Sequence, residues 1–260
     1  MSLLIQRLSE TVCRLTFDRP DCCNAFSSEM LRRVLEELES LRHDKSCRVV
    51  ILSGSGRHFC GGLDFSEALQ DASTAYRMTH QVTQLLATLR RTPLIVIAEV
   101  NGAARGGGAA TAFAADLIVA SEEASFAFPE VQRGLEPVLL FPLLRRRLPE
   151  PLLRRMILTG SKLTAGEAKT FGLVQECVPT DMLAQTAERW AEQICLGEPT
   201  AVRAAKIMLA AHENSLFAPD LTEELSASLE AHTSSWNTQA AREGVQAFLE
   251  KREPNWTGEE

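Results

Sequence analysis

An α/β fold on a mostly parallel sheet, followed by a last third that is nearly all helix, is the architecture this 260-residue chain encodes. Three observations carry that expectation. Residues 49–52, 94–100 and 117–120 are short, mostly apolar runs, as strands covered on both faces by crossover helices require. A helical stripe fills the stretch before the first of them. After Pro142 strand signals become rare while helical ones continue.

The elements follow in order. Cys13, Leu15 and Phe17 alternate with Arg14, Thr16 and Asp18, the two-residue period of a half-buried strand, which Pro20-Asp21 ends. Ser27 caps a helix with Glu29 in its first turn and Met30, Leu31, Val34, Leu35, Leu38 and Leu41 on one stripe. The three apolar runs then supply the sheet. The residues around Met78, 75–90, are read either as core at helical spacing or as cover for an apolar pocket. Helices are expected at 142–148, 151–158, 164–171, 181–195, 199–212, 220–234 and 238–251. Thr164 and Glu167 form a capping-box pattern, Gly172 sits where a C-terminal cap belongs, and Pro199 suits a first helical position. Gly197-Glu198-Pro199 interrupts two helices, so the chain divides into a core, 1–196, and a helical region, 197–260.

Composition narrows the function. Apolar residues make up 45% and charged residues 23%, which excludes a disordered or low-complexity chain. Thirty-four acidic against 27 basic residues give a net charge of −7, which repels phosphate backbones and argues against a nucleic-acid partner. Arg145, Arg146 and Arg147 are the densest basic run; splayed around a helix, they are expected on a solvated face. Cys13, Cys22, Cys23, Cys47, Cys60, Cys177 and Cys195 are odd in number and lack metal-type spacing, so reduced thiols in a cytoplasmic setting are expected. No apolar run approaches membrane-spanning length, the start does not resemble a secretory leader, and no membrane partner is expected. The five histidines show no paired spacing that would hold a metal.

Three segments carry chemistry. Gly61 and Gly62, within Arg57-His58-Phe59-Cys60-Gly61-Gly62-Leu63-Asp64 at a strand exit, let bare N–H groups approach a ligand. Gly106, Gly107 and Gly108 open an Ala-rich helix, where unpaired N–H groups and the helix dipole favour an oxyanion. Neither a phosphate-loop nor a dinucleotide-binding spacing is present there. Glu130, after Pro129 in an apolar context, is placed for partial burial, which raises a carboxylate's basicity. Cys60 lacks a sequence-identifiable base, since His58 two residues away is expected to point elsewhere.

Together these segments resemble the crotonase (enoyl-CoA hydratase/isomerase) superfamily, and the likeness runs nearly the whole chain. Phe17-Asp18-Arg19-Pro20 with Asn24-Ala25-Phe26, the run Val49-Val50-Ile51-Leu52-Ser53-Gly54, Thr159-Gly160, Ala165-Gly166-Glu167-Ala168, Gly172-Leu173-Val174 and residues 242–252 all take part. The resemblance implies a spiral of ββα turns, a helical C-terminal trimerisation region, a homotrimer or dimer of trimers, and acyl-CoA as substrate. It implies no separate cofactor, coenzyme A being part of that substrate. It also implies an enolate held by two backbone N–H groups, at Gly61 and Gly107, and catalysis by Glu130. Cys60, Gly62, Leu63, Asp64 and Gly106 are then substrate neighbours, and Phe248 and Lys251 correspond to family contacts with the nucleotide end of coenzyme A.

Family hydratases carry two glutamates. Here the first of them falls on Ala110, leaving Glu130 alone, a pattern that resembles the Δ3-Δ2-enoyl-CoA isomerases, as does Glu130-Val131-Gln132-Arg133-Gly134. Weak hydration, other enolate chemistry and a non-catalytic acyl-CoA-binding role stay open. Val138 stands near where dienoyl-CoA isomerases place an acid, and Glu136 is expected as a loop carboxylate facing solvent.

Overall fold

In the computed structural model the described residues are 2–216 and 220–256. Two sheets share the strands of a repeating unit. The first has six strands in the order β1 (Leu3–Arg7), β2 (Val12–Phe17), β3 (Val49–Gly54), β5 (Ile95–Val100), β7 (Leu117–Ser121) and β10 (Glu176–Val178). Only the β1–β2 pairing is antiparallel. The second holds β4 (His58–Cys60), β6 (Ala103–Arg105), β8 (Ser125–Ala127) and the antiparallel β9 (Leu163–Thr164). After β1 and β2, which share the first sheet, the pairs β3/β4, β5/β6 and β7/β8 each lay one strand in each sheet, which is the spiral of ββα turns.

The helices are α1 (Ser28–His43), α2 (Phe65–Ala68), α3 (Ala72–Arg91), α4 (Gly107–Ala114), α5 (Phe141–Arg147), α6 (Glu150–Thr159), α7 (Ala165–Thr170), α8 (Leu183–Leu196), α9 (Pro199–Leu216), α10 (Leu221–Ser235) and α11 (Gln239–Glu250). The expected caps are in place: Ser27 accepts from the Met30 N–H at 3.2 Å, and Thr164 and Glu167 close a capping box.

The apolar runs read as doubly covered strands are doubly covered. Val50 and Leu52 of β3 join the main core with Phe17, Phe26 and Phe59, whose rings meet edge to face at 5.3 and 5.5 Å. Val49 and Ile51 point the other way, into a second core closed by Leu183, Ala187 and Ala191 of α8. A third cluster joins Met78 of α3, Leu135, Trp236 just after α10 and Val245 of α11. Met78 is therefore core.

Past Pro142 strands are rare, as expected: only the two-residue β9 and the three-residue β10 occur among the described residues, each completing a sheet edge. One expectation is corrected. Arg145–Arg147 do not form a solvated face. The Arg146 side chain is buried, donating to the Pro142 carbonyl (2.7 Å) and pairing with Glu224 of α10 at 2.6 Å, where Arg145 pairs too. Arg147 donates to the Ala115 carbonyl, and burial pulls its pKa down to about 10. The triplet instead fastens α5 to its neighbours. Among the described residues no helix is long and apolar enough to cross a membrane.

Candidate active site

The first glycine turn is held by Phe26. The Gly62 carbonyl accepts from the Phe26 N–H at 2.7 Å and the Asp64 N–H donates to the Phe26 carbonyl at 2.9 Å, as a parallel bridge requires. Leu63, between them, therefore turns its own N–H away from Phe26, and that N–H has no partner among the described residues. Gly61 differs from its expected role: its N–H is already given to the Cys23 carbonyl at 2.8 Å. Asp64 accepts from the Ser66 N–H at 3.1 Å to cap α2 and pairs with Arg19 at 2.8 Å.

The second turn adjoins the first. Gly106 takes φ +49°, a conformation that L side chains rarely adopt, and donates its N–H to the Ala127 carbonyl at 2.9 Å. Gly107 then opens α4 with an N–H that has no partner among the described residues. A Cβ placed on Gly62 would lie 3.8 Å from that nitrogen, so the Leu63 and Gly107 turns face one another across a narrow gap. Ala110, one helical turn further on, is buried.

Glu130 begins a 3-10 turn, Glu130–Arg133, that Gly134 ends at φ +66°. Its carboxyl points back at the second glycine turn: a Cβ on Gly106 would stand 2.7 Å from Oε1. Oε2 is buried with no hydrogen-bond partner among the described residues. Desolvation pushes the group up to about 7, against a smaller opposing pull from the Arg133 charge.

These groups open into one cavity of about 580 Å³. Its wall is largely apolar, with Val82 from α3, Leu135, Leu139 and Leu140 from the loop after Glu130, Trp236 at the end of α10, and Phe248 and Leu249 from α11. Helix α11 lies directly on the Glu130–Arg133 turn, since a Cβ on Gly244 would meet the Arg133 carbonyl carbon at 2.4 Å. His232 of α10 ties the loop down, with Nδ1 donating to the Glu136 carbonyl at 2.8 Å and Nε2 accepting from Trp236 Nε1 at 3.3 Å. Burial lowers its pKa, which keeps the imidazole neutral.

Of the residues singled out in the sequence, Gly61, Gly62, Leu63, Asp64, Gly106, Gly107, Glu130 and Phe248 line this cavity. Cys60 and Lys251 do not. The Cys60 side chain is buried under α4, where a Cβ on Gly108 would meet its sulfur at 2.8 Å, and burial pushes its thiol up to about 12. Lys251 is exposed beyond the end of α11. Glu136 is exposed, as expected, and is not part of the wall. His58 does line the cavity, contrary to expectation. Arg105, Arg133, His232 and Trp236 line it without having been singled out. Arg133 was visible beside Glu130 in the motif; His232 and Trp236 carried no local signal, because tertiary packing of α10 brings them there.

A spiral α/β core whose glycine turns present two unpaired N–H groups beside one buried carboxyl is the crotonase architecture. The chain matches the family model for enoyl-CoA hydratase/isomerase over residues 7–259 and belongs to that family. It is 32% identical over 259 residues to 2,3-dehydroadipyl-CoA hydratase of Escherichia coli K12, covering 99% of this chain and 100% of that protein. It is 34% identical over 257 residues to carnitinyl-CoA dehydratase of Proteus mirabilis, covering 95% of each. A crystal structure of an enoyl-CoA hydratase from Mycobacterium avium subsp. paratuberculosis K-10 superposes with a TM-score of 0.86 at 25% identity, covering 99% of both chains.

Proposed function

We propose that the protein is an enoyl-CoA isomerase that moves a double bond from the 3,4 to the 2,3 position of an acyl-CoA thioester, with Glu130 as its only acid and base. The observation that carries this reading is that Glu130 is the one cavity carboxylate, among the described residues, without an ion-pair partner; Asp64 is bound to Arg19. A 1,3-proton shift needs a single such group. The Glu130 carboxylate takes a proton from C2, the electron pair delocalises onto the thioester oxygen, and the same carboxyl returns the proton at C4 as the double bond forms between C2 and C3. A pKa near 7 suits a group that must accept and then give up a proton at neutral pH.

The negative thioester oxygen is received by the N–H groups of Leu63 and Gly107. Leu63 replaces Gly61 in this role because the Gly61 N–H is bonded to Cys23. Such preorganised donors are each worth about 2.7 to 4 kcal/mol, since they sit where charge develops and need no reorganisation. Adding water across the double bond asks for a second group to activate it, and Ala110 supplies none. Glu130→Gln should cut turnover of a short 3-enoyl-CoA by about 10²- to 10⁴-fold while binding of a saturated acyl-CoA persists. Appearance of the conjugated 2-enoyl thioester is the readout, and unchanged turnover overturns the reading.

The names of the relatives favour a second reading, hydration or dehydration of an acyl-CoA. It predicts that wild type hydrates crotonyl-CoA faster than it isomerises a 3-enoyl-CoA, and that the hydration survives Glu130→Gln if another group serves as base. A homotrimer or dimer of trimers fits α9, which leaves Ile207, Met208 and Leu209 each at least 65% exposed. Sedimentation at three or six times 28.6 kDa is the expected result.

A further inference from the structure

Two half-buried arginines of the cavity wall form no ion pair among the described residues. Arg133 donates to the Pro129 carbonyl at 2.9 Å, and its guanidinium lies 4.3 Å from the centre of the Phe248 ring and 5.9 Å from that of Phe65. Arg105 approaches from β6, donating to the Ala104 and Ser125 carbonyls at 2.9 and 2.7 Å and to Ser125 Oγ at 2.9 Å. Neither forms an ion pair among the described residues. Burial draws both below the ordinary arginine range, and the Arg133 charge lowers Arg105 further, so the two are near enough to repel.

Leaving two like charges half-buried in one cavity without a carboxylate partner is unfavourable. Arg14 is paired with Glu99 and Glu188, and Arg146 with Glu224. A cavity that keeps two unpaired guanidiniums is complementary to an anion that arrives with the ligand.

Position says which part of the ligand that is. Arg133 lies one short turn from Glu130 and its charge is felt by the Glu130 carboxyl. The arm of coenzyme A next to a thioester is uncharged, carrying amides and a hydroxyl; the phosphates lie at its far end. A cation beside the base therefore addresses the acyl half. We propose that Arg133 and Arg105 form a subsite for a carboxylate at the far end of the acyl chain, making the substrates CoA thioesters of dicarboxylic acids. The inference rests on the cavity being an acyl-CoA site and is independent of which reaction runs there.

Calorimetry on the intact protein with unreactive, saturated ligands tests it without turnover. The probes are CoA thioesters of straight-chain dicarboxylic acids of four, six and eight carbons, each beside its ω-methyl ester, with free coenzyme A as reference. Wild type should bind at least one free acid about tenfold tighter than its ester. Arg133→Gln and Arg105→Gln should bring that ratio towards one, and Arg133→Lys should retain part of it. Equal affinity of wild type for acid and ester at every length overturns the proposal, and this arm needs no variant to fold. It is also overturned if Arg133→Gln weakens acid, ester and free coenzyme A alike, which places the guanidinium on the coenzyme. Failure of wild type to bind any thioester overturns the acyl-CoA reading together with the subsite.

Discussion

At the scale of single residues, Glu130 leaves two marks on pH behaviour. A base must be ionised to accept the C2 proton, so kcat/KM for a 3-enoyl-CoA should rise with pH, with unit slope below about 7, and level off above it. Stability runs the opposite way. The folded-state pKa, about 7, lies above the ordinary 4.5, so the folded protein holds this proton more tightly than the unfolded chain does. That contribution is complete below pH 4.5 and is lost as pH rises to about 7; beyond that the buried charge costs up to about 3 kcal/mol. Glu130→Gln should therefore melt higher than wild type at pH 8, with the difference shrinking as pH falls towards 5. Gly106 supplies a third residue-scale expectation. Alanine there meets both an unfavourable φ and the Glu130 oxygen 2.7 Å away, so Gly106→Ala should lower kcat/KM by about 10²-fold through displacement of the base, with the far-ultraviolet circular dichroism unchanged.

At the scale of elements, the junction of α5 and α10 is electrostatic. Glu224 is nearly buried and pairs with both Arg145 and Arg146, whose side chain is buried. Glu224→Ala removes the carboxylate that holds two arginines of α5 to α10 and should cost about 3 kcal/mol in denaturant unfolding, more than loss of a surface pair. This junction was not legible in the sequence, because Glu224 lies 78 residues from Arg146. The doubly covered strands were legible, since burial on both faces leaves a run of apolar side chains in β3, β5 and β7. Strands β4, β6 and β8 have three residues each, too few to show a period. The glycine turns and Glu130 could be read from their motifs. Which amide faces the cavity could not, because it depends on the Cys23 carbonyl accepting from Gly61 across 38 residues.

At the scale of the whole molecule, the cavity draws its wall from Cys22 near one end of the sequence to Leu249 near the other. The end of α10 and helix α11 supply Trp236, Phe248 and Leu249, and α11 rests on the turn that carries Glu130. A chain ending after residue 238 should therefore lose acyl-CoA binding by calorimetry even where the parallel sheet has formed. During synthesis the same arrangement sets an order of events. The glycine turns and Glu130 leave the ribosome more than a hundred residues before α11, so the growing chain should hold the Glu130 carboxyl in a cleft still open to water. On the proposed reading, competence for chemistry then waits for α11 to emerge and close the apolar wall.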